Sequence, residues 1–423
     1  MLIHSASQLL TLAGGPQRGR QIGQLGLIED GAVLIVGDRI AAVGSSLELR
    51  AAYPHEAAFD ARGCVVMPGF VDAHTHLVWS GDRAAEFEQR LQGKTYMEIM
   101  AAGGGINSTV RATRSASMTN LLAQTRQRAH SIFRHGATTV EAKTGYGLET
   151  TSELRQLEAL LHLDAEGPLE IVPTFMGAHA VPPEYTGDPG GYTTNVCENM
   201  LPALLEWWQA HAAGRPLPYV DVFCETGAFT LEQTQRILTA ARSLGFPLKM
   251  HADEFDNLGG ASLAVALGAA SVDHLVKTSP ADIQALAHSD TVAVALPCTP
   301  FGLADPHYAP ARAILDAGGL LAIASDLNPG TGWCESMQFV IALACRYLRL
   351  APSEAIAAAT INSAAAIGRA DRIGSLEPGK QADLLVLSTG DYRHLGYRFG
   401  TNLVQAVFKR GQLYRVCDDL RKE

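Results

Sequence analysis

The chain has 423 residues, 47% of them hydrophobic and 18% charged, with a formal net charge of −10. Such a composition is that of an ordinary globular enzyme, long enough for one large domain and a smaller one. The acidic balance and the lack of any Lys/Arg-rich run leave no electrostatic footprint for nucleic acid or anionic lipid, so the expected partner is a small molecule.

Residues 1–20 show no sustained apolar core followed by a small-residue cleavage pattern, and no uncharged apolar run reaches the ~18 residues of a membrane span. A cytoplasmic protein without membrane association is expected. Residues 32–42, apolar with Gly37-Asp38 at a turn, read as short antiparallel strands. Eight apolar runs then follow, at residues 69–74, 137–143, 169–179, 219–225, 247–253, 270–275, 291–298 and 320–326. Helical patterns such as 230–244 and 257–267 lie between them, which is the signature of repeated strand-helix units. The economical topology is an α/β fold, a (β/α)8 TIM barrel, the alternative being an open doubly wound sheet. Residues 376–387 and 404–416 again read as antiparallel strands. One small β-sandwich-like domain built from both termini (1–65 and 371–423) therefore flanks a barrel over 66–370. The connections 77–136 and 180–218 are longer than a compact barrel needs and can shape a pocket. In the first of them, Gly103-Gly104-Gly105 suits either a flexible lid or turn, or a backbone-amide cradle for an anion. The seven cysteines are scattered and never form a Cys-x-x-Cys pair, as expected of small buried side chains in a reducing compartment.

The sharpest local feature is Pro68-Gly69-Phe70-Val71-Asp72-Ala73-His74-Thr75-His76. Two histidines at i and i+2 share a face at the end of a strand and can reach one metal ion. Other strand ends carry His179, His251 (followed by Asp253-Glu254), His274 and Asp326. A barrel opens all its strand C-termini on one face, so these residues converge there; each histidine alone would read as a satisfied core or surface residue. A mononuclear site of three histidines and one aspartate, with water in an open position, supplies hydrolytic chemistry. Asp326 can accept the water's proton and pass it on to a leaving nitrogen. His274 suits polarising a carbonyl, and Glu254 either proton transfer or orienting His251.

These motifs resemble the amidohydrolase superfamily, and the resemblance spans nearly the whole chain. It includes the segment Gly374-Ser375-Leu376-Glu377-Pro378-Gly379-Lys380-Gln381-Ala382-Asp383-Leu384, similar to the superfamily's return strand into the small β domain. Two-metal members usually bridge their ions through a modified lysine on the fourth strand. Residues 219–225 hold none, so one ion, zinc or iron, is implied. Within the superfamily the chain resembles the imidazolonepropionase family in His76-Leu77-Val78-Trp79-Ser80-Gly81-Asp82-Arg83, in residues 96–107, in Lys143-Thr144-Gly145-Tyr146-Gly147-Leu148 and in Ser325-Asp326-Leu327-Asn328-Pro329-Gly330-Thr331. That resemblance implies His74, His76, His251 and Asp326 as metal ligands. It implies Arg83, Tyr146, His179, Glu254, Asn328, Gly330 and Thr331 as substrate contacts; Tyr96 is expected to join them, and Asp326, His274 and Glu254 are the catalytic candidates, with the division of proton transfers among them open. The implied reaction is hydrolysis of 4-imidazolone-5-propanoate to N-formimidoyl-L-glutamate, the third step of L-histidine degradation, by a metal-bound hydroxide that opens the ring C–N amide bond.

The residues agree with that substrate. A carboxylate tail needs a fixed cation, and Arg83 suits the role, although the same residue could equally make a surface salt bridge. Tyr146 stands between Gly145 and Gly147, a turn that lets its hydroxyl approach a ligand. A deaminase of an aminated heterocycle would share the metal site but not the contexts of Arg83 and Tyr146. A catalytically silent scaffold would have lost ligands, and a metal-storing protein would not need so many polar neighbours. A homodimer, the commonest assembly, is expected.

Overall fold

Strands buried on both faces must be apolar along their whole length and are stabilised by parallel pairing beneath covering helices. Eight such strands form here: β1 (Phe70–Asp72), β2 (Ala137–Lys143), β3 (Glu170–Ala178), β4 (Tyr219–Cys224), β5 (Lys249–Ala252), β6 (Ser271–His274), β7 (Val292–Ala295) and β8 (Leu321–Ile323). The structure, a computed structural model, describes residues 1–94, 98 and 103–416. Pairing runs in sequence order from β1 to β8. The circle closes just beyond the strand ends. Thr75 bridges Leu327 in parallel, the Asp326 amide donates to the His74 carbonyl (3.1 Å), and the His76 amide donates to the Leu327 carbonyl (2.8 Å). The expected barrel is therefore what forms, rather than an open sheet.

Most regular strands are shorter than the apolar runs that announced them, because the backbone turns at their C-terminal ends. Asp253, His274, Leu275 and Asp326 all have positive φ, at 59°, 81°, 64° and 49°. Left-handed backbone at non-glycine residues is costly and clusters where side chains must be aimed. The helices start where side chains can satisfy their free amides. Thr230 with Gln233 caps Leu231–Ser243, and Ser279 with Asp282 caps Pro280–Ala287, each as a reciprocal capping box. Residues 77–136 are occupied largely by the helices Ala84–Leu91, Ile106–Ser115 and Met118–Arg134. Cys224 and Cys298 are buried; Cys64, Cys197, Cys334 and Cys345 are only half-buried, and none of these six is in a disulfide. No helix among the described residues is long and apolar enough to cross a membrane.

Both ends of the chain build a second, mixed sheet of eight strands. Its stitch is the pairing of Val65–Pro68 with Leu384–Leu387, where Val66 lies opposite Val386. The sheet curls until the turn at Gly411 meets the turn at Gly37: a Cβ on Gly411 would lie 2.3 Å from the Gly37 carbonyl oxygen. Ile3, Val33, Val66, Leu384, Ala406 and Phe408 are among its core.

Glu170, the first residue of β3, joins this sheet to the floor of the barrel. It accepts from Lys409 (3.1 Å), Gln381 (3.0 Å) and Arg410 (3.1 Å), while Lys409 also reaches Asp383 at 2.8 Å. Burial alone would raise the Glu170 carboxyl; Lys409, Gln381 and Arg410 outweigh it and hold it at about 2. A depressed carboxyl contributes stability that is fully present above its ordinary value and is lost as the pH falls toward 2. At 1.36 kcal/mol per unit, Glu170→Gln should cost roughly 3 kcal/mol of unfolding free energy at pH 7, and clearly less at about pH 3. Urea unfolding of both proteins at the two pH values checks this, and a pH-independent difference would assign the effect to packing.

Candidate active site

Alternation along a strand sends every second side chain into the barrel. On β2 the inward set includes Glu141 and Lys143, on β4 Asp221, on β5 Lys249 and His251, and on β6 Asp273. These six side chains are buried to 2% exposure or less. Charge at such depth is tolerated only when paired. The Lys143 ammonium donates to Glu141 (2.7 Å) and Asp221 (2.8 Å) and lies 3.7 Å from Asp273. Burial works against that charge, yet the three carboxylates outweigh it and hold the amine protonated.

The same aspartates reach upward to the histidines. His74 Nδ1 donates to Asp273 (2.7 Å) and His251 Nδ1 to Asp221 (3.0 Å). Bonding to a carboxylate assigns the proton to Nδ1 and leaves a lone pair on each Nε2. These Nε2 atoms converge with others. His251 Nε2 lies 3.3 Å from His76 Nε2, and Asp326 Oδ1 lies 3.4 Å from His74 Nε2 and 3.7 Å from His76 Nε2. His74 Nε2 is buried with no hydrogen-bond partner. Burial first, then Lys143 beside His74 and His179 beside His76, pushes both imidazoles well below their usual range and favours the neutral form. Imidazole nitrogens and a carboxylate oxygen crowd around one point: the ligating atoms of His74, His76 and Asp326, and of His74, His251 and His274, lie within 4.8 Å of one another. This donor set fits a divalent metal of the zinc or iron kind.

Around that point the structure brings together most of the residues singled out in the sequence. Asp326 accepts from the Thr299 hydroxyl, and burial raises its carboxyl to about 6. His274 lies 3.6 Å from Glu254. Burial first, and Asp326 second, raises the Glu254 carboxyl well above its usual range, which favours its protonated form. The His179 ring stacks on His76 at 4.8 Å and donates from Nδ1 to the Gly145 carbonyl at 3.0 Å. Tyr146 is 5.8 Å from His76, centroid to centroid. Its turn is clamped by Glu153, which accepts from the amides of Gly145 (2.9 Å), Gly147 (2.7 Å) and Leu148 (2.7 Å). Asn328 donates to the Asp326 carbonyl (2.8 Å) and accepts from the amides of Gly330 and Thr331 (both 2.8 Å).

Arg83 makes the salt bridge that its sequence context allowed, but not on the surface: its side chain and that of Glu86 are 15% and 14% exposed. The loop that carries it is fixed by Arg128, whose guanidinium sits 3.6 Å over the Trp79 ring and donates to the Leu77 and Trp79 carbonyls. The Gly105 amide donates to the Glu86 carboxylate at 3.1 Å. Tyr96 lies outside the described residues.

Lys143, Glu141, Asp221, Asp273, Thr299 and Glu153 take part without having been expected from the sequence. One signal was present, since Glu141 and Lys143 stand at alternate positions of an otherwise buried strand, where a charged pair has no bland explanation.

Residues 65–414 match the model of the amidohydrolase family, and residues 31–55 that of a bacterial imidazolonepropionase-like composite domain. The chain is 52% identical to an imidazolonepropionase of Herpetosiphon aurantiacus over 98% of this chain and 97% of that one. It is 47% identical to that of Symbiobacterium thermophilum over 98% and 96%. Among solved structures it resembles the atrazine chlorohydrolase TrzN of Arthrobacter aurescens, with a TM-score of 0.68, 17% identity and coverage of 100% and 97%. It equally resembles the guanine deaminase of E. coli, with a TM-score of 0.68, 16% identity and coverage of 98% of each chain. At such identities these two establish the fold alone.

Removing one partner of a buried ion network leaves the others uncompensated, at a cost of roughly 3–5 kcal/mol. Lys143→Met should destabilise the protein by about that amount in urea unfolding. A loss under about 1 kcal/mol would mean that the ammonium does not balance these carboxylates.

Proposed function

The chain belongs to the amidohydrolase family and, within it, to the imidazolonepropionases; on that footing we propose that it hydrolyses 4-imidazolone-5-propanoate to N-formimidoyl-L-glutamate in histidine degradation, with His74, His76, His251 and Asp326 holding one zinc or iron ion. The observation that carries the ligand set is the convergence of three imidazole nitrogens and a carboxylate oxygen, with His74 and His251 locked through Nδ1 by Asp273 and Asp221. A metal bound there would make a coordinated water acidic enough to be a nucleophile near neutral pH and would polarise a carbonyl oxygen. Lys143 already bonds the carboxylates beneath, which favours a single ion over a pair.

The protein's own groups supply the rest. Asp326 takes a proton from the attacking water as its oxygen adds to the ring carbonyl carbon, and returns it to the ring nitrogen as the C–N bond breaks. One water is consumed: its oxygen ends in the new carboxyl group, one of its protons on the departing nitrogen, and the other is released to solvent as that carboxyl ionises. His274, beside Glu254, stabilises the developing oxyanion, and Glu254, whose protonated form burial favours, donates to a ring nitrogen. His179 and Tyr146 flank His76 and bound the ring pocket. Asn328, Gly330 and Thr331 shape the wall after β8. Arg83 receives the propanoate carboxylate as a fixed, partly buried cation. Tyr96 belongs to the same proposed set of contacts, and a cytoplasmic homodimer to the same reading.

Purified protein should form N-formimidoyl-L-glutamate from 4-imidazolone-5-propanoate, lose the activity on chelation, and regain it with zinc or iron. Asp326→Asn should lower kcat by about 10²–10⁴-fold. Metal-dependent turnover of guanine or cytosine instead would overturn the substrate and keep the site.

A further inference from the structure

Helix Ala84–Leu91 begins immediately after Arg83. Arg83, Glu86 and Arg90 are spaced i, i+3 and i+7, so all three share one helix face. The Arg83 Nε–H donates to Glu86 Oε2 at 2.7 Å. The other Glu86 oxygen accepts from the Gly105 amide at 3.1 Å and from the Ser108 hydroxyl at 3.0 Å. Arg83 is also held from below by Gly330. A Cβ at Gly330 would lie 2.4 Å from an Arg83 terminal nitrogen, so the guanidinium packs against bare backbone. Arg90 donates to the Gly330 carbonyl at 3.1 Å. Gly330 is in turn tied through Asn328 to Asp326.

A guanidinium presents an Nε edge and a terminal edge, and each can meet a carboxylate oxygen pair. Glu86 engages Arg83 through Nε, and the terminal nitrogens donate to no described residue. Among the described residues this face carries two arginines and one glutamate, so Glu86 orients Arg83 while its terminal edge stays open to a carboxylate ligand. Orientation is worth binding energy because a side chain as long as arginine otherwise loses rotamer freedom when it binds. Every partner of Glu86 is a donor. Glutamine would have to turn an NH2 group toward one of them, and alanine would release all three.

We propose that Glu86 is a positioning residue for recognition of the substrate's carboxylate tail, holding Arg83 by its Nε edge and coupling it to the Gly103–Gly105 turn and the start of the following helix, Ile106–Ser115. The proposal rests on the reading that Arg83 receives the propanoate. Glu86 does not touch the reacting atoms, so its removal weakens binding of the tail while the chemistry at the metal proceeds.

The test compares wild type, Glu86→Gln and Glu86→Ala, each loaded with zinc, on 4-imidazolone-5-propanoate and on 4-imidazolone without the tail. KM for the carboxylate substrate should rise about 10-fold or more in both variants, with kcat within about 3-fold. Kinetics on the tail-less compound and bound zinc should not change. In an Arg83→Ala background, Glu86→Gln should have no further effect, since the two residues act as one unit. Equal losses on both substrates, an unchanged KM, or additive effects of the two substitutions would overturn the role of Glu86 and leave the substrate assignment standing. Wild-type protein that fails to turn over 4-imidazolone-5-propanoate would overturn the substrate assignment and this proposal with it.

Discussion

The structure depends on keeping a set of charged and titratable groups inside a closed barrel, where an isolated charge would cost several kcal/mol. The solution is a stack of contacts running up the axis. The Lys143 ammonium binds Glu141 and Asp221 and sits beside Asp273. Those two aspartates bind the Nδ1 atoms of His251 and His74. Each layer satisfies the one below and orients the one above, so the free Nε2 lone pairs at the top follow from the buried ion pairs beneath. Buried networks of this kind are stabilising only when complete. Apolar replacement of a single member is therefore costly: Glu141, Lys143, Asp221 and Asp273 are all fully buried.

Closure of the barrel is coupled to the same place. The last strand meets the first through Thr75 and Leu327 and through the amide of Asp326 on the carbonyl of His74. The residues that close the circle are thus neighbours of those proposed to hold the metal, and a barrel that failed to close would have no site. The left-handed backbone at His274 and Asp326 turns both side chains at strand ends, a strain the rigid surrounding strands can hold. The long first connection then adds Arg83, whose seat on Gly330 lies a few residues past Asp326. The proposed ring and tail contacts would therefore share one continuous stretch of backbone, residues 326–331.

Much of this was legible in the sequence, for physical reasons. Apolar runs with helical spacing between them announce a barrel because parallel strands are buried on both faces. His-x-His at a strand end announces a ligand pair because residues at i and i+2 share a face. The ends of the strands were less legible: residues 291–298 are continuously apolar apart from Thr291, yet regular pairing covers only Val292–Ala295, since a local turn is invisible to hydropathy. Lys143, Asp221, Asp273 and Glu86 were missed because each acts through partners distant in sequence or through a loop. Arg83 read equally as a surface salt bridge or a ligand contact; the structure shows a partly buried salt bridge with Glu86, a setting that hydropathy does not reveal. Resemblance supplied the substrate, which no spacing or composition could name.

The most direct test of the central claim is anomalous diffraction at the absorption edge of the metal, from crystals of the protein loaded with zinc or iron. A single peak bonded to Nε2 of His74, His76 and His251 and to a carboxylate oxygen of Asp326, with Asp273 and Asp221 still on the Nδ1 atoms, is the predicted result. A peak bonded through Nδ1 of His74 or His251, or seated away from these residues, would contradict the claim that the buried aspartates aim the ligands.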